Sequence, residues 1–235
     1  MAEWRFLRGW SEAELAERLR ALRGRERNFN AADDAMTAEH GWHGYASEAV
    51  LATEQPGPPA ADGFFERGWL AMTTFRFSDP TIVTAHFDPE DALLGRRMLL
   101  EVKVLGLRYL NGTVVHAVRM ETVEGRTIHG FRYDTLEGHI ERGAEWFMLT
   151  KDHASGDVRF LIRARWQPGD FPNWWSRAGF HLLARRYQRR WHVRAHHRLL
   201  GLMREPQAAL QLRRGRLAHE GPEVTFTWER GVHSR

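Results

Sequence analysis

A chain of 235 residues, 43% of them hydrophobic, is long enough to bury one large core or two small ones. It has no cysteine, which excludes disulfides, thiolate metal sites and a cysteine nucleophile, and no run nears the ~18 apolar residues of a membrane-spanning helix. The net charge of +4 is uneven: eleven Arg and one acid, Glu205, lie between Arg177 and Arg216, leaving 23 basic and 29 acidic residues elsewhere.

The opening MAEWRFLRGW lacks the apolar centre of a secretory signal, so a cytoplasmic setting is expected. Ser11 and Glu14 have the spacing of a capping box, and Leu15, Leu19 and Leu22 form one face of a helix ending near Arg23. Residues 26–44 read as loop. His40 and His43 lie there three apart, without a nearby third ligand for a metal. Ala46 to Thr53 reads as a strand, and the Pro- and Gly-rich stretch 55–63 as a turn. Asp62 is placed to cap a short aromatic helix over 64–73, with Phe65, Trp69 and Met72 on one face.

Strands are then expected over 81–87, 98–105, 109–120, 127–135, 144–151 and 157–166, from β-branched residues and partial alternation. The links between them are too short for crossover helices, so neighbours should pair antiparallel. A long helix is expected within 171–203. Phe180, Ala184, Tyr187, Trp191, Ala195, Leu199 and Leu202 recur at steps of three and four as an apolar stripe. The other side carries Arg186, Arg190, Arg194 and Arg198, with Arg185 and Arg189 beside them, and should face water or an anionic lipid or nucleic acid. His192 and His196 have helical metal-pair spacing, but so many Arg would repel a dication. Neither metal nor cofactor is expected, and no nucleic-acid motif accompanies the Arg. After Met203 the chain reads as a tail with a candidate edge strand over 223–229.

A loop bearing His139 and Glu145 at the mouth of the sheet is expected in the segment GFRYDTLEGHIERGAEWF, Gly130 to Phe147, whose backbone turns tightly or is closely approached at Gly130, Gly138 and Gly143. Tyr133, His139 and Glu145 lie within it. His139 and Glu145 can move a proton near neutral pH with Tyr133 orienting a carbonyl, or they can simply hold the turn by hydrogen bonds.

Gly130, Phe131, Tyr133, Thr135, Leu136, Gly138, His139, Gly143, Glu145 and Phe147, with Trp69 and the stretch YLNGTVVHAV upstream, resemble the bacterial and plant family filed as domain of unknown function nineteen-ninety. The resemblance covers about Val50 to Leu202. It departs from the family pattern at Ala144, where an acid is usual, and at Glu137 and Ile140, where the Gly-His pair is usually flanked by Pro. It implies an α+β fold similar to the START and pollen-allergen helix-grip proteins, in which a curved antiparallel sheet wraps a long C-terminal helix around an apolar cavity. No activity comes with it.

Three domain regions are expected: an extension over 1–45, a helix-grip domain over 46–204 and a tail over 205–235. The leading expectation of function is binding of an apolar or amphipathic small molecule between sheet and helix, by Trp69, Phe131, Trp146, Trp174, Phe180, Tyr187 and Trp191. The alternatives are a cyclase- or hydrolase-like enzyme working through His139, Glu145 and Tyr133, and docking of an anionic surface by the Arg face.

Overall fold

The computed structural model describes residues 3–169, 171, 173–205 and 221–229, without the side chains of 176, 178 and 180–182. In chain order the elements are β1 (Glu3–Phe6), α1 (Glu12–Ala21), β2 (His43–Thr53), α2 (Phe64–Thr73), β3 (Val83–His86), β4 (Arg97–Val104), β5 (Leu107–Val123), β6 (Arg126–Thr135), β7 (Glu141–Asp152), β8 (Asp157–Pro168), α3 (Trp174–Arg204) and β9 (Thr225–Glu229). Single 3-10 turns at Leu22–Gly24, Asp33–Ala35 and Ala38–His40 punctuate the stretch read as loop.

The strands form one antiparallel sheet in the order β3-β4-β5-β6-β7-β8-β2-β9, with β1 added along β5. Turn chemistry fixes two of its hairpins. Leu105-Gly106 and Glu124-Gly125 each have positive φ at both positions, and each links strands whose flanking residues pair directly, Val104 with Leu107 and Val123 with Arg126. Two-residue turns of this hand match the twist of the strands they join. Register breaks at Val50/Ala52 and Val115/Ala117 add bend to the sheet. The result is a curved antiparallel sheet against a long C-terminal helix.

Two local expectations are corrected. The first concerns the start of α2: Asp62 does not cap it, having φ 51°, and Gly63 holds the N-cap position without a side-chain bond of its own. The Glu54 carboxylate from the end of β2 instead accepts the Phe65 amide at 2.8 Å, and Lys151 of β7 holds that carboxylate at 2.6 Å. The second concerns the loop expected to bear both His139 and Glu145: His139 lies in the β6–β7 turn, but Glu145 lies within β7. Only Gly138 turns with positive φ, at 85°. Gly143 lies inside β7, where a Cβ would stand 2.1 Å from the Arg165 carbonyl oxygen of β8, so a close backbone approach requires glycine.

The inward face of the sheet carries Phe131, Phe147, Leu149, Val158, Phe160 and Ile162, which pack against α2 and the C-terminal half of α3 through Trp191, Ala195, Leu199, Leu202 and Met203. The described members of the apolar stripe therefore do face the sheet. Along the N-terminal half of the helix the contact opens, and that gap forms the site.

Candidate functional site

A pocket of about 260 Å³, open to solvent, lies between the N-terminal half of α3 and the inward faces of β2, β4, β5, β6, β7 and β8. Alternation along each strand selects what enters it. From β7 come Glu141, Gly143 and Glu145, two apart on one face; from β6, Tyr133 and Thr135; from β5, Tyr109 and Asn111; from β2, Tyr45. Helix α3 contributes Gly179, Leu183, Ala184, Tyr187, Gln188, Trp191 and His192, spaced by three or four or adjacent. Most of the lining is apolar, and the polar groups gather at the β6–β7 wall.

There the side chains form a connected set. The Tyr133 hydroxyl donates to Glu145 Oε2, and Glu145 Oε1 stands 3.4 Å from His192 Nε2. The other ring nitrogen of His192 is 2.6 Å from Ser47 Oγ, which lies 3.0 Å from His196 Nε2. Glu145, His192, Ser47 and His196 are all buried, His192 and Ser47 at 1% exposure. Burial lifts Glu145 to about 7 against the opposing pull of the Tyr133 hydroxyl. Glu141 rises to about 8, through burial and the neighbouring Glu145 charge. His192 is pushed well below the usual histidine range by burial, and His196 to about 3 by burial and the nearby His192 and His197.

A hydroxyl has one proton to give, so the chain of contacts has two consistent directions. In one, Ser47 donates to His192, whose Nε2 proton faces an ionised Glu145. In the other, Ser47 donates to His196, His192 turns its Nε2 lone pair to Glu145, and Glu145 carries the proton. A carboxyl poised near neutrality beside this relay can give or take a proton in the pocket.

His139 lines the pocket from the β6–β7 turn, 7% exposed. Its Nδ1 accepts the Glu141 amide at 2.9 Å, which leaves the ring proton on Nε2, and burial pulls its pKa down to about 4. It is a neutral donor rather than a base matched to neutral pH. Glu145, Tyr133 and His139 thus do line one pocket, with the first two directly bonded.

The residues expected to bind a ligand divide. Tyr187 and Trp191 line the pocket, and Trp191 is oriented by Nε1 donating to Ser78 Oγ at 2.9 Å. Phe131 is core, 1% exposed, beneath Phe147. Trp69 of α2 packs over His129 and Phe131, away from the pocket. Trp146 faces the other side of the sheet, under the Arg132 guanidinium. Trp174 is 81% exposed, and its neighbour Trp175 lines the pocket instead. The Phe180 side chain lies outside the described residues.

The Arg face is partly committed within the protein. Arg194 Nη1 bonds Asp79 Oδ2 at 2.7 Å and Thr81 Oγ1 at 2.9 Å, and Arg198 Nε bonds the Arg76 carbonyl at 2.6 Å. Arg186 and Arg190 are exposed. Arg185 and Arg189 lie over the Trp228 and Phe226 rings of β9. His192 and His196 face Ser47 of the sheet, not the Arg side.

Sequence reasoning passed over Glu141, Asn111, Tyr45, Ser47 and Trp175, and weighed His192 only as a metal ligand. Strand alternation from Glu145 points to Glu141, and from Val115 to Asn111. One helical turn from Ala195 and Leu199 places His192 and His196 beside the apolar stripe. Ser47 carries no signal until β2 is known to lie under α3.

The class is now defined: an α+β domain whose bent antiparallel sheet and C-terminal helix flank a largely apolar pocket with an acid–base cluster on one wall. The chain belongs to the family described as a domain of unknown function, DUF1990, which matches residues 27–198. No match was found among curated proteins. Among solved structures the chain is similar to Ara h 8.0201, at 14% identity and TM-score 0.38, over 69% of this chain and 98% of that one. It is similar to a hypothetical protein from Helicobacter pylori at 12% identity and TM-score 0.43, over 68% and 88% respectively. A protein from Arthrobacter aurescens aligns at 11% identity and TM-score 0.39, over 77% and 95%. Among the described residues no helix is long and apolar enough to cross a membrane.

Proposed function

We propose that this protein binds an apolar or amphipathic small molecule in the pocket between the sheet and the N-terminal half of α3. The observation that carries the reading is the pocket itself: about 260 Å³, walled by Ile82, Val83, Leu100, Val102, Leu183 and Trp191 among others, with its few polar groups converging on one side. That combination is what small-molecule sites share. A dry cavity of ~150 Å³ takes up benzene, so this volume suits a ligand of roughly two rings. Native mass spectrometry of gently purified protein, with thermal melts across a panel of two-ring compounds, tests the reading. A bound mass or a shifted melt for a subset of the panel is expected. A bare-chain mass with no shift across the panel removes it.

A second reading, acid–base catalysis in the same pocket, is favoured by one observation: Tyr133, Glu145 and His192 are in contact with one another and all line it. In that reading Glu145 is the group that takes and returns the proton, the Tyr133 hydroxyl bonded to it orients a substrate oxygen, and His139 is a neutral donor. If the pocket only stores its ligand, the bound molecule elutes unchanged. If it catalyses, the ligand turns over, and Glu145→Gln stops turnover without abolishing binding.

A further inference from the structure

Two polar side chains in the pocket have no hydrogen-bond partner among the described residues. Neither Nδ2 nor Oδ1 of Asn111 is hydrogen-bonded, nor is the hydroxyl of Tyr45, and both residues are almost wholly buried, at 1% and 2% exposure. Both line the pocket. Folded proteins rarely leave a buried carboxamide with neither end served. Its neighbours on the same face of β5 are Tyr109, Thr113 and Val115, and none of them serves the carboxamide.

The charges of the pocket all point one way. Glu141 and Glu145 stand in its wall, and the sole Arg or Lys among the described lining residues, Arg165, is ion-paired to Glu229 of β9. His139 has its Nδ1 occupied by a backbone amide and sits in a burial that disfavours its cation. His192 is likewise held neutral by burial. An anionic group entering here would meet two carboxyls and, among the described residues, no free cation.

We propose that the pocket selects an uncharged, largely apolar molecule bearing an adjacent hydrogen-bond donor and acceptor, as in a carboxamide or lactam, which pairs with the carboxamide of Asn111, and that it discriminates against carboxylates and phosphates. The inference rests on the ligand-binding reading above. Asn111 then offers Nδ2–H to the ligand carbonyl and receives the ligand N–H at Oδ1, a reciprocal pair that satisfies both. A carboxylate supplies only acceptors and leaves Oδ1 unserved. A site built around such a pair rejects the mismatched analogue far more strongly than a greasy wall does. The Tyr45 hydroxyl is a second donor for the same ligand.

The test uses the full chain at pH 7.5 and the neutral apolar fluorophore N-phenyl-1-naphthylamine as reporter, displaced by 1-naphthaleneacetamide or by 1-naphthaleneacetate. The amide is expected to displace the reporter at a concentration lower by about tenfold or more, the loss typical of one buried hydrogen bond left unmade. In Asn111→Leu the amide should weaken by about tenfold, measured against the reporter's own affinity for that variant. If the reporter binds but amide and acetate compete equally, or if the amide is not weakened in Asn111→Leu, the inference is overturned and the binding reading stands, as it would if a buried water served Asn111. If the reporter does not bind, both fall. Should Asn111→Leu fail to fold, the amide-to-acetate ratio of the unmodified protein and the Tyr45→Phe variant carry the test: a ratio near one in the former refutes the inference, and a weakened amide in the latter supports it.

Discussion

Glu145→Gln keeps the shape of the side chain at the centre of the pocket wall and removes its titration. In the folded protein burial raises the Glu145 carboxyl from 4.5 to about 7. Each pKa unit of difference between folded and unfolded states corresponds to about 1.4 kcal/mol, so the linkage is worth about 3 kcal/mol. Its sign follows from which state holds the proton. Between the unfolded and folded pKa values the native state binds it and the unfolded chain does not, so this stability is complete at low pH and is lost as pH rises through 7. The buried histidines pull the other way: His139, held down at about 4, and His196, at about 3, favour the folded state only above the unfolded histidine range. Glu141, raised to about 8 by burial and by Glu145, extends the alkaline limb. The absolute profile is therefore a composite, and the difference between unmodified protein and variant removes the histidine contributions and reports Glu145 together with its coupling to Glu141. Urea unfolding followed by fluorescence of the ten Trp gives that difference at pH 5, 6, 7 and 8. The stability of the unmodified protein relative to Glu145→Gln should fall by about 2.5 kcal/mol from pH 5 to 8, with most of the change complete by pH 7.5. A difference that stays constant within about 0.5 kcal/mol across that range would mean that Glu145 titrates like an exposed carboxyl, and the account of the pocket wall would be wrong.

Ser47→Ala leaves nitrogens of both His192 and His196 without their shared hydroxyl, and should cost about 2 kcal/mol in urea unfolding; ¹⁵N spectra of the two rings should change together, and a change in one alone would break the proposed relay. Lys151→Met strands the buried Glu54 carboxylate that caps α2, and should cost about 3–5 kcal/mol. The double variant Lys151→Met with Glu54→Gln should regain a large part of that, and equal losses in single and double variants would contradict it. Gly143→Ala forces a methyl into the Arg165 carbonyl, so thermal melts should show it less stable than Gly125→Ala, whose strain is φ alone with open space around it; the reverse order would refute the close-approach argument.

The strand ladder from β4 to β8 was legible because each strand shows β-branched residues and each short link forbids a crossover. The apolar stripe of α3 was legible by periodicity. What the sequence could not show was which strand face meets which helix turn. Tyr133 and Glu145 were picked out together, yet it is their pairing across β6 and β7, Tyr133 opposite Glu145, that puts both on one face and joins them. Trp146 was chosen beside Glu145, and the alternation that delivers Glu145 to the pocket sends Trp146 to the other side of the sheet. The Arg side was read as solvent-facing because charge on a helix usually is. Arg185, Arg186, Arg189 and Arg190 are exposed, but Trp228 and Phe226 of β9 lie beneath two of them and Asp79 pairs with Arg194, contacts that helix periodicity cannot announce.

The position of the pocket follows from a contrast within α3 itself. Its C-terminal half presents Ala195, Leu199 and Met203, each 0% exposed, directly to the phenylalanine-rich floor of the sheet, and α2 closes over them. Its N-terminal half presents Gly179, Leu183, Ala184 and Gln188 to a wall that includes Gly143 and Ala164. The side chains on the two sides do not fill the space that helix and sheet leave between them, and the polar residues around that space, Asn111, Glu141 and Tyr45, are poor substitutes for packing. A sequence selected only for stability would place leucine or phenylalanine there, as it does one helical turn further along. That opening lies where Glu145, Tyr133 and His192 meet. That coincidence is the physical reason for assigning the function to this end of the helix and the stability of the fold to the other.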